Sequence, residues 1–211
     1  MSTPSRPSNA TPGQPSLRDA KRELTRSRLV AAATAVFESK HYADVTVDDI
    51  SAGAGTSRAT FYLYYPGKAK ILRACLQDFD DGLEELWERF EELDQATVDA
   101  LESWLTSYVE LYERHKLLLG TMHQAEAVEP EFREDVVQTV KNTIARWQRL
   151  EVVGSVLKLD DDLELQLVLF VAELQRFLYL WIIRGLEVDR GRAIRKLAEH
   201  WHAVLVGGGT P

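Results

Sequence analysis

Between residues 16 and 211 only two prolines occur, Pro66 and Pro130. A proline inside a helix removes a backbone donor and clashes with the preceding turn, at a cost of about 3 kcal/mol. A chain that confines it to two interior positions keeps long stretches open to helix. Those stretches are rich in Leu, Ala and Glu and lack the apolar–polar alternation of a half-buried strand. The chain therefore reads as all-α. Apolar residues at helical spacing predict helices over about 17–40, 47–53, 57–65, 68–93, 101–112, 116–125, 130–147, 160–185 and 189–206, nine in all. Leu72, Cys75, Leu76, Phe79, Leu83, Leu86, Phe90 and Leu93 form one stripe of the long fourth helix. Pro130 suits a first helical turn, and Asp160-Asp161-Asp162 suits the positive end of a helix macrodipole.

Four more prolines fall in residues 1–16 among Ser, Thr, Asn and Gln. That segment has too little apolar surface to offset its ordering entropy, and it reads as a disordered tail, as does 207–211. The rest divides into an N-terminal unit, 17–67, and a larger helical body, 68–206. The net charge of −8 is unevenly spread: residues 1–75 hold eleven Lys and Arg against six Asp and Glu, so a basic module rides on an acidic body. No apolar run exceeds seven residues, and the first thirty residues lack an apolar signal core, so neither a membrane span nor a secretory signal is expected. The single cysteine, Cys75, excludes an intramolecular disulfide and suits a reducing cytoplasm.

The segment from Thr46 to Tyr65, TVDDISAGAGTSRATFYLYY, carries the functional signal. Thr46 and Asp49 have the spacing of a capping box, Gly53 and Gly55 supply a tight turn, and Ser57 can cap a second short helix. Two short helices joined by a glycine-containing turn and packed on a preceding amphipathic helix make a helix-turn-helix, whose second helix enters the DNA major groove. The chemistry suits that use. Arg58 can read guanine or bind phosphate; Thr46, Ser57 and Thr60 can reach bases or phosphates; the hydroxyls of Tyr62 and Tyr64 suit phosphate oxygens. Lys68 opens the next helix with a cation and free N–H groups, and Arg26 adds charge from the first helix. Phe61 and Tyr65 share a face and are candidate core. The partner is double-stranded DNA.

This pattern resembles the TetR family of bacterial transcriptional regulators. The likeness runs from Leu29-Val30-Ala31-Ala32-Ala33 and Val36-Phe37 through Tyr42, Thr46-Val47, Ile50, Ala54-Gly55, Ser57-Arg58, Thr60-Phe61-Tyr62 and Tyr64-Tyr65 to Lys68 and Leu72. Tyr65 stands where the family usually has Phe, and Leu63, at a variable position, can touch a thymine methyl or stand as an exposed leucine, so no base preference carries over. The resemblance implies a three-helix DNA-binding domain, a helical ligand-binding and dimerisation domain, and a homodimeric repressor released from a palindromic operator by a small molecule.

For that second domain the sequence offers candidates. Bulky and polar groups suited to a mostly apolar pocket are Trp87, Phe90, Trp104, Tyr108, Tyr112, Met122, His123, Trp147, Phe170, Glu173 and Phe177, which point to an apolar or aromatic effector. Residues 163–186 are apolar nearly all round, so they and the last helix are expected to form a dimer interface through Leu167, Val171, Leu174, Leu178, Ile182, Ile194, Leu197, Trp201 and Leu205. No histidine pair has metal-site spacing with a carboxylate, and no phosphate loop or nucleophile elbow occurs, so no metal, cofactor or catalytic residue is expected. The alternative reading is an all-helical ligand-binding or interaction protein that does not regulate transcription.

Overall fold

The computed structural model describes residues 16–147 and 161–206. Ten α-helices occur among them: α1 (Leu17–Ser39), α2 (Val47–Gly53), α3 (Arg58–Tyr64), α4 (Lys68–Cys75), α5 (Gln77–Glu91), α6 (Val98–Arg114), α7 (Lys116–Glu126), α8 (Pro130–Trp147), α9 (Asp161–Leu178) and α10 (Arg190–Val206). A 3₁₀ turn at Tyr42–Asp44 links α1 to α2, and α9 runs on as a π-turn through Tyr179–Ile183. Of the expected tails only Ser16 is described, and its hydroxyl caps α1 through the Asp19 N–H. The expected start of the penultimate helix at Asp160 lies outside the described residues.

The predicted fourth helix is two helices. Leu76 donates its N–H to the carbonyls of both Leu72 and Arg73, each at 3.2 Å, and its ψ of −2° interrupts the α-ladder. The apolar stripe continues across the break, with Leu72, Cys75, Leu76, Phe79 and Leu86 all buried. Side-chain periodicity is unbroken there, and neither proline nor glycine marks the junction.

The N-terminal module packs α2 and α4 against α1, burying Leu29, Ala33, Phe37, Ile50, Phe61, Ile71 and Leu72. The body is layered: α6 packs on α5 and on α10, while α8 packs on α7 and α9. Its centre is a layer of rings. Trp104 lies 4.9 Å from Trp87, 5.1 Å from Phe90 and 5.4 Å from Trp201 between centroids, and Phe170 lies 4.5 Å from Trp201. The Trp104 indole N–H donates to the Leu86 carbonyl at 2.6 Å, so its polar atom is satisfied. Helix α7 joins the two parts, touching α1, α4 and the 3₁₀ turn on one side and α8 and the π-turn on the other.

The expected dimer residues lie mostly inside the single chain. Leu167, Val171, Leu174, Leu178, Ile194, Leu197, Trp201 and Leu205 are buried within the single chain, and Ile182 is half-buried against the same core. The stripe of α10 is taken up by α6 and the ring layer, so these side chains are not available to a second copy. The outward apolar groups of α9 are Leu165 and Leu169, 57% and 60% exposed. A helix apolar all round does not announce which of its stripes its own core will claim. Leu165–Ile183 is a described helical segment long and apolar enough to cross a membrane by length and composition. Here it turns Leu167, Phe170, Leu174 and Leu178 into the bundle and keeps Glu173 exposed.

Candidate nucleic-acid interface and ligand cavity

The helix-turn-helix is built by local chemistry. The Thr46 hydroxyl accepts the Asp49 N–H at 3.1 Å, and the Asp49 carboxylate accepts the Thr46 N–H at 3.0 Å, a reciprocal capping box that starts α2. Gly55 turns the chain with φ of +61°, where a Cβ would meet the Arg28 guanidinium at 3.0 Å, so both its freedom and its smallness are needed. Gly53 ends α2 and lies close against Ala32 of α1. The Ser57 hydroxyl then accepts the Thr60 N–H at 3.1 Å and opens α3.

Helix α3 divides cleanly. Phe61 is buried, Tyr65 just beyond the helix is buried, and Tyr64 is half-buried on the core. Arg58, Ala59, Tyr62 and Leu63 form the exposed face, with Leu63 78% exposed. Arg58 is held there by three contacts. Its Nη1 donates to Asp48 Oδ2 at 3.1 Å, its Nη2 to the Tyr62 hydroxyl at 3.3 Å, and its guanidinium stands 5.6 Å from the Tyr62 ring centroid. Tyr62 first and then Asp48 push the Arg58 pKa further up.

The other expected DNA contacts are placed as follows. The hydroxyls of Thr46, Ser57 and Thr60 serve the helix caps and stay at the surface. Arg26 is exposed on α1 beside the Tyr65 hydroxyl, which raises its pKa; no hydrogen bond of regular geometry forms, and that hydroxyl has no other partner. Lys68 departs from expectation. Its ammonium donates to the Tyr42 carbonyl at 2.9 Å and the Val45 carbonyl at 3.4 Å and sits 4.3 Å from the Tyr42 ring centroid. It is a strut beneath the 3₁₀ turn and not a free cation: it is a second donor to the Tyr42 carbonyl, which already accepts the Val45 N–H, and it also donates to the Val45 carbonyl. The N-terminus of α4 itself has no side-chain cap, so its first N–H groups remain open.

Behind this module a cavity of about 470 Å³ opens between α4, α5, α6, α7, α8 and α9. Of the expected pocket residues, Trp87, Tyr108, Tyr112, Met122 and His123 line it. Phe90, Trp104 and Phe170 do not, because they are packed ring against ring in the layer beside it. Glu173 is exposed and paired with His200 at 3.3 Å, and Phe177 packs on Trp181, 5.6 Å between centroids. The side chain of Trp147 lies outside the described residues.

The wall also carries Tyr179, and groups that the sequence did not single out for it: Phe79, Phe132 and the polar Arg73, Asp80, Glu126, Asp135, Thr139, Thr143 and Arg176. These come from five helices and converge only by packing. Arg73 is tightly paired with Asp135 and stands over the Phe132 ring. His123 joins Tyr112 and Glu126, each at 3.3 Å. Burial pushes the Tyr108 hydroxyl up to about 12 and raises the Asp80 carboxyl. Among the described residues no three His, Cys, Asp or Glu side chains form a set able to hold a metal. Cys75, buried and pushed up to about 11 by desolvation, is a core thiol.

Residues 29–75 match the family model described as bacterial regulatory proteins, tetR family. The HTH-type transcriptional regulator EthR of Mycolicibacterium smegmatis is 42% identical over 48 residues, which are 23% of this chain and 22% of that protein. EthR of Mycobacterium tuberculosis is 32% identical over 113 residues, 50% of each chain. The matched stretch thus spans at most about half the length of these curated relatives. A solved tetR-family transcriptional regulator from Streptomyces coelicolor shares the fold with a TM-score of 0.66 at 23% identity, covering 86% of this chain and 80% of that one. Residues 29–75 thus match the helix-turn-helix module of bacterial tetR-family regulators, and the helical body behind it shares its fold with a solved regulator of that type.

Proposed function

We propose that this chain is a DNA-binding transcriptional regulator, a homodimeric repressor that leaves a palindromic operator when a small molecule fills the cavity of the body. The observation that carries the reading is the exposed face of α3. An arginine held ready by two partners, a tyrosine and an apolar leucine stand on a helix whose opposite face is fully buried. Such a helix presents donors and a methyl-reading group together, as direct readout in the major groove requires. The open N–H groups at the start of α4 suit a phosphate.

Self-association in this reading uses the outward faces of α9 and α10, with Leu165 and Leu169 at their centre, because two-fold protein symmetry matches a two-fold operator. Control runs through α7. One of its faces grips the DNA-binding module and the other, with Leu119, Met122, His123 and Glu126, faces the cavity. A ligand that prefers the form with misplaced α3 helices lowers DNA affinity, typically by ~1–3 kcal/mol of coupling, and DNA weakens ligand binding equally.

The test is a binding isotherm on the DNA upstream of the chain's own gene, read by fluorescence anisotropy with and without cavity ligands. Sequence-specific binding that a saturating ligand weakens supports the repressor. Ligand binding with no preference for any duplex gives the chain to the ligand-binding alternative.

A further inference from the structure

The charged groups of the cavity wall are acidic on balance, and this narrows what it binds. The Tyr108 and Tyr179 hydroxyls, Thr139 and the Gln175 amide also line it, while other donors are engaged within the wall. Arg73 is engaged by Asp135 and the Phe132 ring, Arg176 lies 4.9 Å from the Tyr179 ring centroid, and Tyr112 and His123 bond one another. The Thr143 hydroxyl donates to the Thr139 carbonyl of its own helix at 3.0 Å. Two acceptors remain. Asp80 makes no hydrogen bond or ion pair among the described residues, and Glu126 has one carboxylate oxygen bonded to His123 while the other is buried with no partner. In formal charge the lining holds Asp80, Glu126 and Asp135 against Arg73 and Arg176, one negative charge in excess.

The geometry points to an organic amine as the cavity's ligand: an apolar, largely aromatic body carrying a protonated nitrogen, bound by the free carboxylate of Asp80 with Glu126 in support. The body fits the faces of Phe79, Trp87, Tyr108 and Tyr112, and 470 Å³ lies in the range of small-molecule sites. Those ring faces also attract a cation. Asp80 stays exposed at the cavity wall, yet desolvation by its neighbours raises its pKa against the pull of Arg73, and a cation alongside it favours the charged form. An anionic amphiphile meets the reverse situation. It finds no free cation other than Arg176, and taking Arg73 leaves Asp135 as an unpaired charge. This inference rests on the cavity being the ligand site, and it is narrower than the effector reading.

The experiment is calorimetric titration of the full chain at pH 7 with three probes of one skeleton: 6-phenylhexylamine, 6-phenylhexanol and 6-phenylhexanoate. The amine is expected to bind at least about tenfold more tightly than the alcohol, in line with a charge-assisted hydrogen bond, and the carboxylate most weakly. Asp80→Asn, isosteric and at the cavity mouth, should lose that tenfold preference while binding the alcohol as before. Glu126→Gln should lower amine affinity by a smaller factor. Equal affinity for the three probes, a tighter carboxylate, no binding of the amine, or a preference unchanged in both variants overturns the assignment. Amine binding that leaves operator affinity untouched keeps the ligand class and removes the effector role, so the two failures are distinct.

Discussion

The hydroxyl of Tyr42 donates to the carboxylate of Glu129 across 2.7 Å, tying the 3₁₀ turn of the helix-turn-helix module to the link between α7 and α8. The same residue's N–H donates to the Gln124 side chain at 2.8 Å, and the Thr121 hydroxyl of α7 donates to the Phe37 carbonyl at 3.0 Å. Two of these hydrogen bonds reach α7, whose opposite face lines the cavity, and the third reaches the link that follows it. Burial and Glu129 together push the Tyr42 hydroxyl far above its ordinary pKa, so it stays a donor at any working pH.

Tyr42→Phe should keep the fold and lose the clasp. The loss of a bond to a charged acceptor, partly shared with water, is expected to cost about 1–2 kcal/mol in urea unfolding. DNA affinity without ligand should change little, while the ligand's effect on it shrinks. An unchanged coupling energy in a linked titration of DNA and ligand would place the communication elsewhere.

Arg58→Ala should cost ~1–3 kcal/mol of operator affinity and relax the preference at one base pair. Asp48→Asn tests the other half of the pair. It removes a negative charge at the DNA-facing surface and frees Arg58 from its 3.1 Å partner. Affinity for random-sequence duplex should rise while selectivity falls. Selection from a random duplex library, run on wild type and both variants, measures each effect.

Lys68→Met keeps most of the apolar stem and removes the donor to Tyr42 and Val45. It should lower thermal stability, by about 1–3 kcal/mol, since the Val45 carbonyl loses the ammonium donor and the Tyr42 carbonyl keeps only the Val45 N–H. The salt dependence of DNA binding should not alter, because the ammonium faces the protein. A slope of log affinity against log salt that falls by one unit would return Lys68 to the phosphate backbone.

Leu169→Glu should make the chain monomeric without unfolding it, since the side chain faces outward. Trp201→Glu should unfold it, because Trp201 is buried between Trp104 and Phe170. Light scattering at micromolar concentration together with circular dichroism separates the two outcomes. A monomeric wild type, or a Leu169→Glu dimer, removes α9 from the interface.

Acid should loosen the start of α2. The Lys40 ammonium at 2.7 Å, with the hydroxyl and N–H of Thr46, holds the Asp49 carboxyl down to about 2, from an ordinary 3.8. A folded-state pKa below the unfolded one contributes stability above the unfolded value that is lost as pH falls through the folded one. The stability difference between wild type and Asp49→Asn should therefore be constant above about pH 4 and vanish towards pH 2. A difference that persists at pH 2 would mean that the carboxylate's charge is not what starts α2.

Local signals were enough for much of this protein. Sparse proline and 3.6-residue periodicity specify helices, and the Thr46–Asp49 box, Gly55 and Ser57 specify the turn, because caps and left-handed glycines act over three or four residues. The exposed and buried faces of α3 also follow, since Phe61 and Tyr65 sit one turn apart. Tertiary packing decided the rest. No sequence mark distinguishes the stripe of α9 that carries Leu167 and Leu174 from the one that carries Leu165 and Leu169, because both are apolar and only the position of α10 and the ring layer selects between them. Lys68 reads as a free cation until the 3₁₀ turn folds beneath it and leaves two carbonyls within reach. Asp80, Glu126 and Asp135 read as surface charge on three separate helices. They become one acceptor-rich wall only when α5, α7 and α8 close around the same space, since side-chain pattern is a property of a helix and a cavity is a property of how helices meet.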